Sequence, residues 1–142
     1  MQKPQKPLVL FAEDDHEDWL LMSNTIEQCR HECVIERVED GISLLTRLRD
    51  KTHSFPHLLL LDMKMPKMGG LEALREIRKD PALQHLPVIM LTTSEMEEDV
   101  LSSFQSGANS YVVKPPTFED MRKALCEIKT YWLGTSEVPV AF

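Results

Sequence analysis

Four consecutive leucines, Leu58 to Leu61, run directly into an aspartate, Asp62. An apolar run without alternation has no polar face to offer to water, so as a strand it must be covered on both sides. Four other short strand-like runs occur: Leu8 to Ala12, Cys33 to Val38, Val88 to Leu91 and Ser110 to Val113. Between them lie segments with helical spacing. Trp19, Met22 and Ile26 recur at three and four over residues 16–30, which is one helix face. Ile42, Leu45, Leu48 and Arg49 sit on a short helix after Asp40-Gly41. Gly69-Gly70 opens a helix with Leu71, Leu74 and Ile77 inward, and Asp80-Pro81 stops it. Val100, Leu101 and Phe104 mark a helix ending near Gly107, and Phe118, Met121, Leu125, Ile128 and Trp132 form a long final stripe. Strand and helix alternate five times. The expected fold is therefore α/β, a five-stranded parallel sheet with helices on both faces.

Several classes of function fall away at this level. The chain has 142 residues, 42% of them hydrophobic, enough for one domain with a packed core. Its net charge of -7 argues against a nucleic-acid footprint, which needs a basic face. No apolar run approaches the roughly 20 residues of a membrane span. The start, MQKPQKPLVLF, carries no small-residue cleavage site, so no signal peptide is expected and the location is read as cytoplasmic. Three cysteines, Cys29, Cys33 and Cys126, are read as reduced thiols rather than a disulfide framework. Cys29, His31 and Cys33 lie close together, but no second ligand cluster completes a four-coordinate metal site, and they read as ordinary helix-end residues.

In an open parallel sheet the chemistry lies beyond the carboxyl ends of the strands. The first strand ends in Glu13-Asp14-Asp15, the third in Asp62, the fourth in Thr92-Thr93-Ser94 and the fifth in Lys114-Pro115. Each residue alone has a simpler reading. Asp15 followed by Asp18 fits a helix N-cap as well as a ligand. Asp62 reads as a loop aspartate, Thr92 as a capping hydroxyl, Lys114 as a surface lysine before a proline, and Tyr111 equally as a half-buried strand aromatic. Their convergence carries the argument. Carboxylates gathered at one edge repel unless a cation sits among them, and an all-oxygen cluster suits Mg²⁺. A lysine held by Pro115-Pro116 can act as a point charge on a phosphoryl group.

FAEDD, LLLLDMKMPKMGG, PVIMLTTS and GANSYVVKPP together resemble the receiver domains of two-component signalling, over about residues 7–131. The separations fit too, with 30 residues from Asp62 to Thr92 and 52 from Asp62 to Lys114. The resemblance implies a flavodoxin-like doubly wound fold and a phosphoacceptor signalling protein rather than an enzyme, supporting Mg²⁺-dependent phosphotransfer to itself and slow autodephosphorylation. Asp62 would accept the phosphoryl group from a histidine kinase. Asp14 would ligate Mg²⁺ directly, Glu13 through water, and the Lys64 carbonyl would join them. Thr92 and Lys114 would engage the phosphoryl group, Tyr111 would be the switch aromatic, and the Lys114–Pro115 bond would be cis. LTTSEMEEDVLSSFQSGANSY and EIKTYWLGTSEVP resemble the regulators paired with phytochrome-type photoreceptor kinases.

Three rival readings meet obstacles in the sequence. A phosphatase of the haloacid dehalogenase type needs a second aspartate two residues after the first, where this chain has Lys64. A nucleotide-binding fold needs a glycine-rich loop after the first strand, and none is there. A degenerate receiver serving as an unphosphorylated scaffold conflicts with the intact Asp14, Asp62, Thr92 and Lys114. Only about ten residues follow the last helix, so the expected output is a protein partner. The expected organisation is a flexible lead over 1–6, a receiver domain over 7–131 and a tail over 132–142, irregular from Leu133 to Phe142 around Pro139. Tyr131, Trp132, Leu133, Val138, Val140 and Phe142 give the final helix and tail an apolar surplus, from which a homodimer is expected.

Overall fold

The structure, a computed structural model, describes residues 6–139. Five strands, β1 (Leu8–Ala12), β2 (Val34–Val38), β3 (Leu58–Leu61), β4 (Val88–Thr92) and β5 (Ser110–Val113), form one parallel sheet in the order β2-β1-β3-β4-β5. The five α-helices are α1 (His16–Glu27), α2 (Gly41–Arg49), α3 (Gly70–Lys79), α4 (Glu97–Gln105) and α5 (Phe118–Thr130). This is the expected fold. The central strands β1, β3 and β4 are buried along their whole length, as unalternated apolar runs require, while β2 and β5 at the edges are only partly covered.

Alternate strand residues feed two cores. On one face Val9, Phe11, Leu58, Leu60, Ile89 and Leu91 pack against Met22 and Ile26 of α1 and Met121, Leu125 and Ile128 of α5. On the other, Leu10, Leu59, Leu61, Val88 and Met90 meet Leu44, Leu45 and Leu48 of α2 and Ala73, Leu74 and Ile77 of α3. Each fully buried leucine of β3 contributes roughly 2 kcal/mol, so this strand is firmly anchored up to Asp62. Ladder register then decides what the strands deliver. Ala12 pairs with Leu61, and the Asp62 N–H donates to the Ala12 carbonyl at 3.0 Å, which sets Glu13 beside Asp62. Gly70 is required where α3 begins. A Cβ there would come within 2.1 Å of the Asp62 carbonyl oxygen, so only glycine lets α3 start this close to the aspartate.

Two expectations fail at the α1–α5 face. The thiols are not all reduced: Cys29 and Cys126 form a disulfide, and Cys33 alone is free. Side-by-side packing of α1 and α5 brings the two Cα atoms to 5.2 Å, within the reach of a disulfide. The tail is also not wholly irregular, because Tyr131–Thr135 form a π-helical turn. Trp132 and Leu133 there pack on the α1–α5 core. Buried Lys129 donates from Nζ to the carbonyls of Ile26 at 2.9 Å and Cys29 at 3.3 Å, satisfying the carboxyl end of α1. Most of the expected lead and the tail residues Val140 and Phe142 lie outside the described residues.

Candidate functional site

The strand order reverses between β1 and β3, and the crevice beyond their carboxyl ends holds the charged residues singled out above. Glu13 follows β1 and is buried, Asp62 follows β3 and is buried, and Asp14 stands exposed beside them. Glu13, Asp14 and Asp62 each offer a carboxylate oxygen, all within 4.8 Å of one another, a group able to hold a metal ion. The donor set is all oxygen and carries more than one negative charge, so it fits a hard divalent cation.

Lys114, delivered by β5, reaches into the same crevice and is itself buried. Its Nζ lies 2.5 Å from Glu13 Oε1, 2.7 Å from Asp18 Oδ2 and 3.0 Å from Asp62 Oδ2. Burial alone would lower the lysine's pKa. The hydrogen bonds to Asp18 and Glu13 and the charges of Asp62 and Glu13 outweigh it, and the ammonium is held well above its usual range. Glu13 moves the other way for a carboxyl: burial pushes it up to about 7, Lys114 opposes the shift, and the neighbouring Asp62 adds to it. The backbone of the acid pair is fixed from β2. Arg37 donates from Nε to the Glu13 carbonyl at 2.9 Å and from Nη2 to the Asp14 carbonyl at 3.2 Å. Its guanidinium lies over the Trp19 ring, 5.7 Å from the centroid.

The remaining expected residues line the rim. Thr92 closes β4, almost fully buried, and its carbonyl accepts from the Lys114 N–H at 2.7 Å. The exposed Lys64 follows Asp62 by two, with its N–H 3.4 Å from Asp62 Oδ1. Tyr111 is half-buried and donates its hydroxyl to the Ser94 carbonyl at 2.9 Å, tying β5 to the segment between β4 and α4. Asp15 takes the capping role, accepting from the Asp18 N–H at 2.9 Å. One expectation is corrected. No cis peptide bond occurs among the described residues, so Lys114–Pro115 is trans. Trans is the lower-energy isomer, and with it Lys114 already meets its three carboxylates.

Asp18 and Arg37 are the site residues that sequence reasoning missed. Asp18 reads in the sequence only as part of the Asp15 cap, and its spacing alone does not point to Lys114. Arg37 is the basic residue near the end of the second strand run, which was the available signal.

The order of the parallel sheet reverses where an acid cluster and a buried lysine meet at its carboxyl edge. The chain belongs to the response regulator receiver domain family, whose description it matches over residues 9–126. It is 35% identical over 135 residues to the probable methanogenesis regulatory protein FilR2 of Methanothrix harundinacea, covering 93% of this chain and 87% of that one. It is 34% identical over 140 residues to the response regulator Rcp1 of Synechocystis sp., covering 94% of each. The Mn(2+)-bound crystal structure of Rcp1 superposes with a TM-score of 0.87 at 30% identity, over 94% of this chain and 99% of that one. The phosphorylated cyanobacterial phytochrome response regulator RcpA does so with a TM-score of 0.88 at 29% identity, over 95% and 99%. The chain is thus a response regulator receiver related to phytochrome response regulators. No helix among the described residues is long and apolar enough to cross a membrane.

Proposed function

We propose that this chain is a phosphorylation switch: Asp62 accepts a phosphoryl group from a histidine kinase, and the resulting change of conformation controls a protein partner. The observation that carries this reading is the buried Asp62 carboxylate at the point of strand reversal, ion-paired to Lys114 and flanked by Glu13 and Asp14. An Asp62 oxygen attacks the phosphorus of a phosphohistidine. The P–N bond breaks as the P–O bond forms, and the imidazole leaves. Lys114 offsets charge on the transferred oxygens, and Thr92 supplies a hydroxyl beside them. Glu13, Asp14, Asp62 and the Lys64 carbonyl would hold Mg²⁺, which neutralises phosphoryl charge when bound. The Mn²⁺ of the Rcp1 structure and the phosphorylated state of RcpA support this assignment by relation.

The switch follows from the rim contacts. A Thr92 drawn toward the phosphoryl group pulls the segment that Tyr111 holds through Ser94, so the tyrosine can change rotamer with it. This biases two pre-existing arrangements rather than creating a new one. The relation to phytochrome regulators favours a photoreceptor kinase as donor. Residues 7–131 act as the receiver, and the chain works as a cytoplasmic homodimer through α5 and the tail, where Phe118 and Tyr131 are exposed. The test is phosphotransfer: purified histidine kinases, photoreceptor kinases included, are autophosphorylated and mixed with the chain and Mg²⁺. Rapid transfer from one kinase supports the reading, and no transfer from any kinase of the source organism contradicts it.

A further inference from the structure

One partner of Lys114 belongs neither to the acid pair after β1 nor to the strand-end aspartate. Asp18 sits in the first turn of α1, and its Oδ2 lies 2.7 Å from Lys114 Nζ, closer than the 3.0 Å of Asp62. Its side chain is 35% exposed, against 2% for Glu13 and 10% for Asp62. Lys114 is the only cation that its carboxylate pairs with among the described residues.

An ammonium has three donor hydrogens, and three carboxylates surround this one. A phosphoryl group on Asp62 brings further anionic oxygens to the same ammonium, so one present acceptor must give way. Glu13 is only 2% exposed and would be held in place by the cation it helps to bind, so it does not swing out to solvent. Asp62 carries the phosphoryl group itself. Asp18 alone borders solvent and can be rehydrated at small cost.

We propose that Asp18 is a positioning residue that competes with the phosphoryl group on Asp62 for the ammonium of Lys114. It holds the lysine on the α1 side until the phosphoryl group displaces it. The proposal rests on the reading of Asp62 as phosphoacceptor. Asp18 thereby opposes the phosphorylated state, and the first turn of α1 is coupled to occupancy of Asp62. Removing its charge leaves Lys114 free for the phosphoryl oxygens, so the phosphorylated geometry gains stability.

The experiment is calorimetric titration of beryllofluoride, a phosphoryl mimic, into the full chain at fixed saturating Mg²⁺. Four proteins are compared: wild type, Asp18→Asn, Asp18→Glu and Glu17→Gln. Glu17 is exposed on the same helical turn and removes the same formal charge without touching Lys114. Asp18→Asn should bind beryllofluoride about tenfold more tightly, the scale of one partly exposed charge-assisted hydrogen bond. Asp18→Glu should return toward wild type, and Glu17→Gln should stay within about twofold of it, since a screened surface charge contributes little. Equal or weaker binding by Asp18→Asn overturns the proposal, because a merely structural Asp18 would lower affinity on removal. An equal gain in Glu17→Gln also overturns it, by assigning the effect to net charge. A wild type that binds no beryllofluoride overturns the phosphoacceptor reading together with this one, whereas binding that is indifferent to Asp18 leaves that reading standing.

Discussion

Asp14 differs from its two companions in standing exposed, whereas Glu13 and Asp62 are buried and share Lys114. Among the described residues no cation pairs with it, and it is the carboxylate freest to serve a metal. Asp14→Ala should weaken Mg²⁺ binding at least about tenfold, as loss of a direct hard-oxygen ligand does. It should leave metal-free stability unchanged or slightly raised, because one of several like charges is gone. Calorimetry showing unaltered Mg²⁺ affinity would contradict the assignment. Glu13, Asp62 and Lys114 were legible in the sequence because each directly follows a strand that aims it, and Asp14 stands one position on from Glu13. The role of Asp18 was not legible, since its partner lies 96 residues away and the local pattern has its own sufficient explanation in the Asp15 cap. Arg37 was hidden for a related reason: its acceptors are backbone carbonyls after a neighbouring strand, which no side-chain motif records.

Helices were legible as elements and less so as faces. In α2, Ile42 is exposed while Leu44, which the spacing did not single out, is fully buried. In α4, Leu101 and Phe104 are exposed and the buried residue is Ser103, whose hydroxyl donates to the Asp99 carbonyl. Helices of nine residues are short enough that sheet geometry, rather than apolar spacing, chooses the inward side. Their ends obey local chemistry more closely. Asp40 caps α2 by accepting from the Ser43 N–H at 2.7 Å, and this bond, reinforced by the Ser43 hydroxyl, holds its carboxyl below the usual aspartate value. A depressed carboxyl contributes stability that is complete above the unfolded value, about pH 4, and is lost as pH falls through the folded value. Asp40→Ala should thus cost about 1 kcal/mol at pH 7 and less at pH 3, read by thermal unfolding. A cost that does not shrink at pH 3 would contradict the ionised cap. Between α1 and α5, the Cys29–Cys126 bond closes a loop across 97 residues. Reduction by a dithiol should lower stability to urea by roughly 2–4 kcal/mol. Thiol titration of the unfolded, unreduced chain should find Cys33 alone, and three reactive thiols would contradict the bond. The sequence could not reveal it, because cysteine count carries no information on which helices lie side by side.

At the scale of the molecule, the final stripe divides its work. Met121, Leu125 and Ile128 complete the core, and Trp132 and Leu133 extend it, so part of the apolar surplus assigned to a partner is spent within the chain. Phe118 and Tyr131 remain exposed on α5 and the turn after it. The proposed homodimer would draw on these residues, and sedimentation at tens of micromolar should give a dimeric mass that Tyr131→Ala reduces. A monomer with and without beryllofluoride would contradict it. The parallel sheet was legible because unalternated strands joined by helices permit few topologies, while its doubly wound order came with the receiver resemblance. Above both the dimer and the fold stands the claim that Asp62 receives the phosphoryl group. The most direct measurement is intact mass spectrometry after incubation with a small-molecule phosphodonor such as phosphoramidate and Mg²⁺. The account predicts one phosphoryl increment on the wild type, lost on treatment with base, and none on Asp62→Asn. An increment of the same base-labile kind that persists in Asp62→Asn, or a wild type that takes up none, would contradict it.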